Sequence, residues 1–153
     1  MKNYLHFVGF GLGLIAVIFL SSFNALFMTP RTEWFENLSK PHIVPVLHSL
    51  CWLVSYLLTA VTIGEFIVNK DIFRYIFLMA IFIGLNILWC FLFFRANELI
   101  SSLIIFIAIL CVQGFILYIT TKRTKFTCFC ALINLIWYVY MFVIFIAVIV
   151  MNR

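Results

Sequence analysis

Residues Asn86–Phe94 read Asn-Ile-Leu-Trp-Cys-Phe-Leu-Phe-Phe and close an apolar run that begins at Ile72. As a helix, a run of this length crosses the hydrocarbon core of a bilayer, which is about 30 Å thick. An amide placed in hydrocarbon costs free energy unless it is hydrogen-bonded, so Asn86 is predicted to face protein or a cavity. At 3.6 residues per turn, Asn86, Trp89 and Phe93 fall on one face, at i, i+3 and i+7. That face sets one amide beside two aromatic rings. It suits a flat, mostly apolar ligand stacked on rings and oriented by one polar group. From this stretch alone it suits better a helix–helix contact in which Asn86 bonds to a neighbour.

The rest of the chain has the same character. Of its 153 residues, 67% are hydrophobic and 10% charged, and the mean hydropathy is +1.23. Soluble domains carry about 25% charge, so this is the composition of an integral membrane protein. The apolar runs are continuous, whereas barrel strands would alternate over about ten residues. The expected fold is all-α and polytopic, a bundle of five transmembrane helices in one membrane domain spanning residues 1–153. The spans are placed at about 4–27, 46–68, 72–94, 99–120 and 126–151, with a long loop at 28–45. The first span exceeds the 7–15 residues of a signal-peptide core and reads as retained.

Charge and cysteine content narrow the function. The net charge of +5 is scattered among the loops and forms no aromatic-basic interleaving, so nucleic acid is not an expected partner; membrane lipid is. Lys2, Lys70, Arg74, Lys122, Arg123 and Lys125 fall on one side and Arg31, Lys40, Arg95 and Arg153 on the other. That bias puts the N-terminus inside and the long first loop outside. Cys51, Cys90, Cys111, Cys128 and Cys130 lie in or beside apolar runs and read as small hydrophobes. Cys128-x-Cys130 has no second ligand pair, so no metal site is expected. The sequence offers no Ser–His–acid set and no Gly-rich phosphate loop.

Several further stripes carry polar or small groups. Trp52, Ser55, Tyr56 and Thr59 share a face of helix two, and Asn134, Trp137, Met141 and Phe145 are predicted to share a stripe of helix five. Glu65 is placed to snorkel or to pair with Lys70 or Arg74. Gly9-xxx-Gly13 and Ala80-xxx-Gly84 allow close backbone approach, within the bundle or in a homodimer. In the first loop, Trp34, Phe35 and Leu38 fit a turn of interfacial helix, and Pro41 and Pro45 stiffen the approach to helix two. Trp34, Pro41, Pro45 and His48 are thus candidates for a lid over the outer end of the bundle.

Three of these stretches together resemble one family. Trp34-Phe35-x-x-Leu38-x-Lys40-Pro41-x-x-x-Pro45 is similar to the Trp-Tyr-x-x-Leu-x-Lys-Pro-x-x-x-Pro-Pro signature of the tryptophan-rich sensory protein/translocator protein family (TspO/MBR). Trp52-x-x-x-Tyr56 resembles its Trp-x-x-Leu-Tyr, and Asn86-x-x-Trp89-x-x-Leu92-Phe93-Phe94 its Asn-x-x-Trp-x-x-x-Phe-Phe. Trp137 falls where the family's helix-five Trp is expected, and Asn152 matches its final Asn. The departures are Val46 in place of the second Pro, a shortened interval from Pro45 to Trp52, and Ile133-Asn134 in place of Pro-Tyr.

The resemblance implies a five-helix bundle, often dimeric, with a pocket near the first loop for porphyrin, haem-type tetrapyrroles or sterol-like molecules. On that basis Trp52, Trp89 and Trp137 would stack on the ligand and Asn86 and Tyr56 would orient it, with Phe93 and Met141 completing the wall. The function so implied is that of a membrane receptor or sensor, with porphyrin or haem as ligand and no obligatory cofactor. Two alternatives stay open: light-dependent porphyrin degradation, with Trp52 and Trp137 as its catalytic residues, and a dimeric membrane scaffold or transport protein. His42 and His48 stand at the entrance of the inferred pocket, where the family pattern asks for no His; stacking rather than iron ligation is expected to supply affinity.

Overall fold

A computed structural model describes residues 2–28, 37–41, 45–68 and 72–152. Five helices make up nearly all of it: α1 Lys2–Met28, α2 Pro45–Val68, α3 Ile72–Phe94, α4 Leu99–Thr120 and α5 Lys125–Met151. Each is long and apolar enough to cross a membrane. Local chemistry sets the ends that can be read. Pro45 stands in the first turn of α2, where its missing N–H costs nothing. Asn97 adopts a left-handed φ of 59° in the turn from α3 to α4, a conformation Asn tolerates better than most residues. Thr124 caps α5 by accepting the Thr127 N–H at 3.2 Å.

The helices form a closed ring in which α1 packs on α2, α2 on α5, α5 on α4, α4 on α3, and α3 returns to α1. Side chains such as Phe7, Ile15, Phe77, Ile104 and Ile136 remain exposed on the outside of this ring, as a lipid-facing surface requires. Hydrocarbon outside is as apolar as the core inside, so association must come from close packing and interhelical hydrogen bonds.

Both devices are visible. The Gly9-xxx-Gly13 face is used inside the bundle, against Gly64 and Ala60 of α2. A Cβ added at Gly9 would stand 2.6 Å from the Gly64 carbonyl oxygen, and one at Gly64 would stand 2.8 Å from the Gly9 carbonyl carbon. Gly84 meets nothing within 4 Å, and it and Ala80 stay exposed. The hydrogen bonds tie α2 to α5 and α5 to α3. Ser55 Oγ donates to Asn134 Oδ1 at 2.5 Å, and Asn134 Nδ2 donates to Thr59 Oγ1 at 2.9 Å. Tyr138 Oη donates to Asn86 Oδ1 at 3.0 Å. Replacing Asn134 by leucine removes both links between α2 and α5. The expected loss is about 1–2 kcal/mol of unfolding free energy in detergent, read as a lowered midpoint in a denaturing-detergent titration. An unchanged midpoint would assign the α2–α5 contact to packing alone.

Glu65 has a neighbour on α1: His6 Nδ1 lies 3.4 Å from its carboxylate. Lys70 and the Arg74 side chain lie outside the described residues. Cys90 and Cys130 are buried, Cys51 and Cys128 half-buried and Cys111 exposed, all as free thiols.

Candidate functional site

A cavity of about 460 Å³ opens at the end of the bundle next to the first loop. Its walls come from α1, α2, α3 and α5, with Lys40 of the loop at its edge. The helix ends that meet here explain the space. Where α1 touches α2 through glycines, the backbones close on one another; at this end α2 carries Trp52 and Tyr56, while α1 contributes the small Ser21, Asn24 and Ala25. Large rings on one side and small side chains on the other leave a gap between them. Its volume falls within the range of about 300–1,000 Å³ usual for small-molecule sites.

The aromatic side chains of the wall fall into two groups, one on α3 and α5 and one on α2. Trp89 lies parallel to Phe93, with an interplanar angle of 5° and centroids 5.7 Å apart. Phe145 closes on both edge-to-face, at 6.0 Å from Trp89 and 5.1 Å from Phe93. Trp52 tilts against Tyr56 at 5.8 Å and meets Tyr138 edge-on at 6.0 Å. Ring pairs of this kind hold one another's orientation as well as burying area. The wall is therefore set by the protein rather than by whatever it encloses.

Among the residues singled out in the sequence, the structure brings Trp52, Tyr56, Asn86, Trp89, Phe93 and Met141 to the cavity wall. Trp137 is not in that wall. It stands behind Trp52, edge-on at 5.7 Å and 87°, and packs on Tyr140 at 5.3 Å. The stripe of α5 that turns inward runs through Asn134, Tyr138, Met141 and Phe145, with Tyr138 in the place assigned to Trp137. Tyr138 is only 1% exposed and is the residue that fixes Asn86. The reason is angular. From Asn134, residue i+4 deviates about 40° from the stripe, whereas i+3 deviates about 60° to the other side. The signal was present in the periodicity, masked by the indole next to it.

Asn86 has a part in both readings of its helix. It lines the cavity, yet its Nδ2 donates to Phe82 O at 2.8 Å and its Oδ1 accepts from Tyr138. It therefore braces α3 against α5 and keeps one amide hydrogen for other use. Asn24 escaped the sequence reading, although the rule applied to Asn86 applies to it too: an amide inside an apolar span needs a protein partner. It is 6% exposed and donates from Nδ2 to Tyr56 Oη at 3.4 Å.

The loop edge is held by α5. Asn152 Oδ1 accepts the Ser39 N–H at 2.9 Å, and Asn152 Nδ2 donates to Ser39 O at 2.8 Å. The same Nδ2 also reaches Val148 O at 2.7 Å. One side-chain amide thus pairs with loop backbone as a neighbouring strand would, and anchors residues 37–41 beside the cavity. Pro41 belongs to that described segment and Pro45 begins α2, whereas Trp34, His42 and the His48 side chain lie outside the described residues.

Comparison with known proteins agrees with this architecture. The model of the TspO/MBR family matches residues 12–151. No curated protein matches the chain.

Proposed function

The chain belongs to the TspO/MBR family of integral membrane proteins of sensor and receptor type, and from that premise we propose that it is a receptor for a porphyrin, a haem-type tetrapyrrole or a similarly flat apolar ligand. The observation that carries the reading is the cavity beside the first loop, walled by Trp52, Trp89 and Phe93 and bordered by the polar groups of Tyr56, Asn86 and Asn24. A planar macrocycle gains most by lying against rings, because stacking and apolar burial both scale with the face it presents. Tyr56 and Asn86 orient it, Met141 adapts to its outline, and Trp137 supports Trp52 from behind. Lys40 stands at the edge, where an acidic substituent can remain near water. The first loop, on the outer side, acts as the lid, held at Ser39 by Asn152.

Affinity in this scheme comes from the rings, so free-base porphyrin and haem are expected to bind within about tenfold of each other, or about 1.4 kcal/mol. The test is titration of the purified protein in detergent with protoporphyrin IX and with haem, following tryptophan fluorescence. Saturable quenching by both is expected. Folded protein that shows no saturable quenching with either would remove the proposal. A haem preference above tenfold that vanishes in His48→Ala would replace stacking by iron ligation.

A further inference from the structure

A second cavity, of about 210 Å³, lies between α1, α2 and α3 in the half of the bundle away from the first loop. Apart from the Tyr75 hydroxyl and the Met79 thioether, every side chain that lines it is hydrocarbon. Its floor is buried, at Ile63, Phe66 and Met79, while Leu12 and Ile76 on its rim are 46% and 58% exposed. It is therefore a cleft between α1 and α3 that opens on the surrounding lipid. Such a cleft does not stay empty in a bilayer, because an unfilled gap forfeits the contacts on which helix packing in lipid depends.

Its depth says what can fill it. Along α3 it runs from Tyr75 to Ile83, about 12 Å at 1.5 Å per residue, and begins about 5 Å from the helix start at Ile72. Half of the hydrocarbon core is about 15 Å thick. The cleft thus occupies one leaflet, and it fits a molecule whose long apolar part enters from that end.

That end of the bundle is basic. By order in the chain it carries six of the ten basic residues and two of the five acidic ones, Glu65 and Asp71, against four and three at the other end. Glu65 faces His6. Tyr75 bounds the cleft there and stacks on Phe66 at 4.7 Å. Arg123 Nη2 donates to Tyr75 Oη at 3.3 Å, and the guanidinium stands 5.4 Å from the Tyr75 ring centroid. Lys122 and Lys125 beside it are exposed. A guanidinium fork suits a phosphate, and basic residues at a membrane surface attract anionic lipid.

We propose that the cleft between α1 and α3 holds one acyl chain of an anionic phospholipid, whose phosphate is met by Arg123. The site is separate from the cavity beside the first loop and does not depend on the receptor reading. Lys122 and Lys125 add attraction for the headgroup, and Ala16 and Ala80 leave room for the chain.

Native mass spectrometry of the full chain, released from detergent containing equimolar dioleoyl phosphatidylglycerol and dioleoyl phosphatidylcholine, tests the proposal. The wild type is expected to retain phosphatidylglycerol at least about fivefold over phosphatidylcholine, or about 1 kcal/mol. Arg123→Gln should reduce that preference to below about twofold, whereas Arg95→Gln at the opposite end should leave it unchanged. Ala16→Leu and Ala80→Leu narrow the cleft, and each should cut retention of both lipids. Absence of a wild-type preference overturns the proposal, and this is read without any variant. Equal effects of Arg123→Gln and Arg95→Gln would reduce it to net charge. Undiminished lipid in both leucine variants would place the lipid on the outer surface rather than in the cleft. A dimer that retains no lipid would give the cleft to a second copy of the chain, which also overturns it.

Discussion

Gly64→Val is expected to break the contact between α1 and α2, whereas Gly11→Val leaves it intact. The Cβ at position 64 would stand 2.8 Å from the Gly9 carbonyl carbon and 2.8 Å from the Phe10 nitrogen. Backbone cannot rotate away as a side chain can, so the helices must separate or shift along one another. Overpacking of a rigid site costs about 1–3 kcal/mol and sometimes more, and this site, with backbone on both sides, belongs at the upper end. Gly11 is two residues from Gly9 yet a Cβ there meets nothing within 4 Å. Its substitution should fall within about 0.5 kcal/mol of wild type. Thermal unfolding in detergent separates the two: a clear fall in Tm for Gly64→Val beside an unchanged Gly11→Val is the expected result. Equal behaviour would mean that the α1–α2 approach does not depend on the missing side chains.

Ser21→Trp should abolish ligand binding and keep the fold. Ser21 lies in the cavity wall on α1, opposite the aromatic side chains of α2 and α3. An indole there can occupy part of the roughly 460 Å³ that the proposed ligand needs. Filling an apolar void adds burial, so Tm should stay level or rise. Porphyrin affinity should drop by more than about a hundredfold, or about 2.8 kcal/mol. Circular dichroism and Tm establish that the variant is folded, and the porphyrin titration then locates the site. Wild-type affinity in a folded Ser21→Trp protein would place binding somewhere other than this cavity.

These substitutions divide along the line between what was and was not legible in the chain. The sequence alone determined the class of fold, because five long apolar runs leave no other way to satisfy the backbone in hydrocarbon. It also picked out the aromatic face of α3: Asn86, Trp89 and Phe93 depend only on one helix's own periodicity, and all three reach the cavity. The small residues at Gly9 and Gly13 were recognisable as a contact surface, but their counterparts were not. Only the folded chain pairs them with Gly64 and Ala60 and leaves Ala80 and Gly84 uncovered.

The same limit explains Trp137 and Tyr138. Two adjacent aromatic residues lie about 100° apart on a helix, and the choice between them depends on which helices flank α5. With α2 on one side and α4 on the other, Tyr138 turns inward to Asn86 and Trp137 backs Trp52. Asn24 is the extreme case. Nothing local distinguishes a buried Asn that bonds to Tyr56 from one that does not, since the two are 32 positions apart in the chain. Periodicity fixes the direction in which a side chain leaves its own helix; the ring order of the helices decides what it meets there.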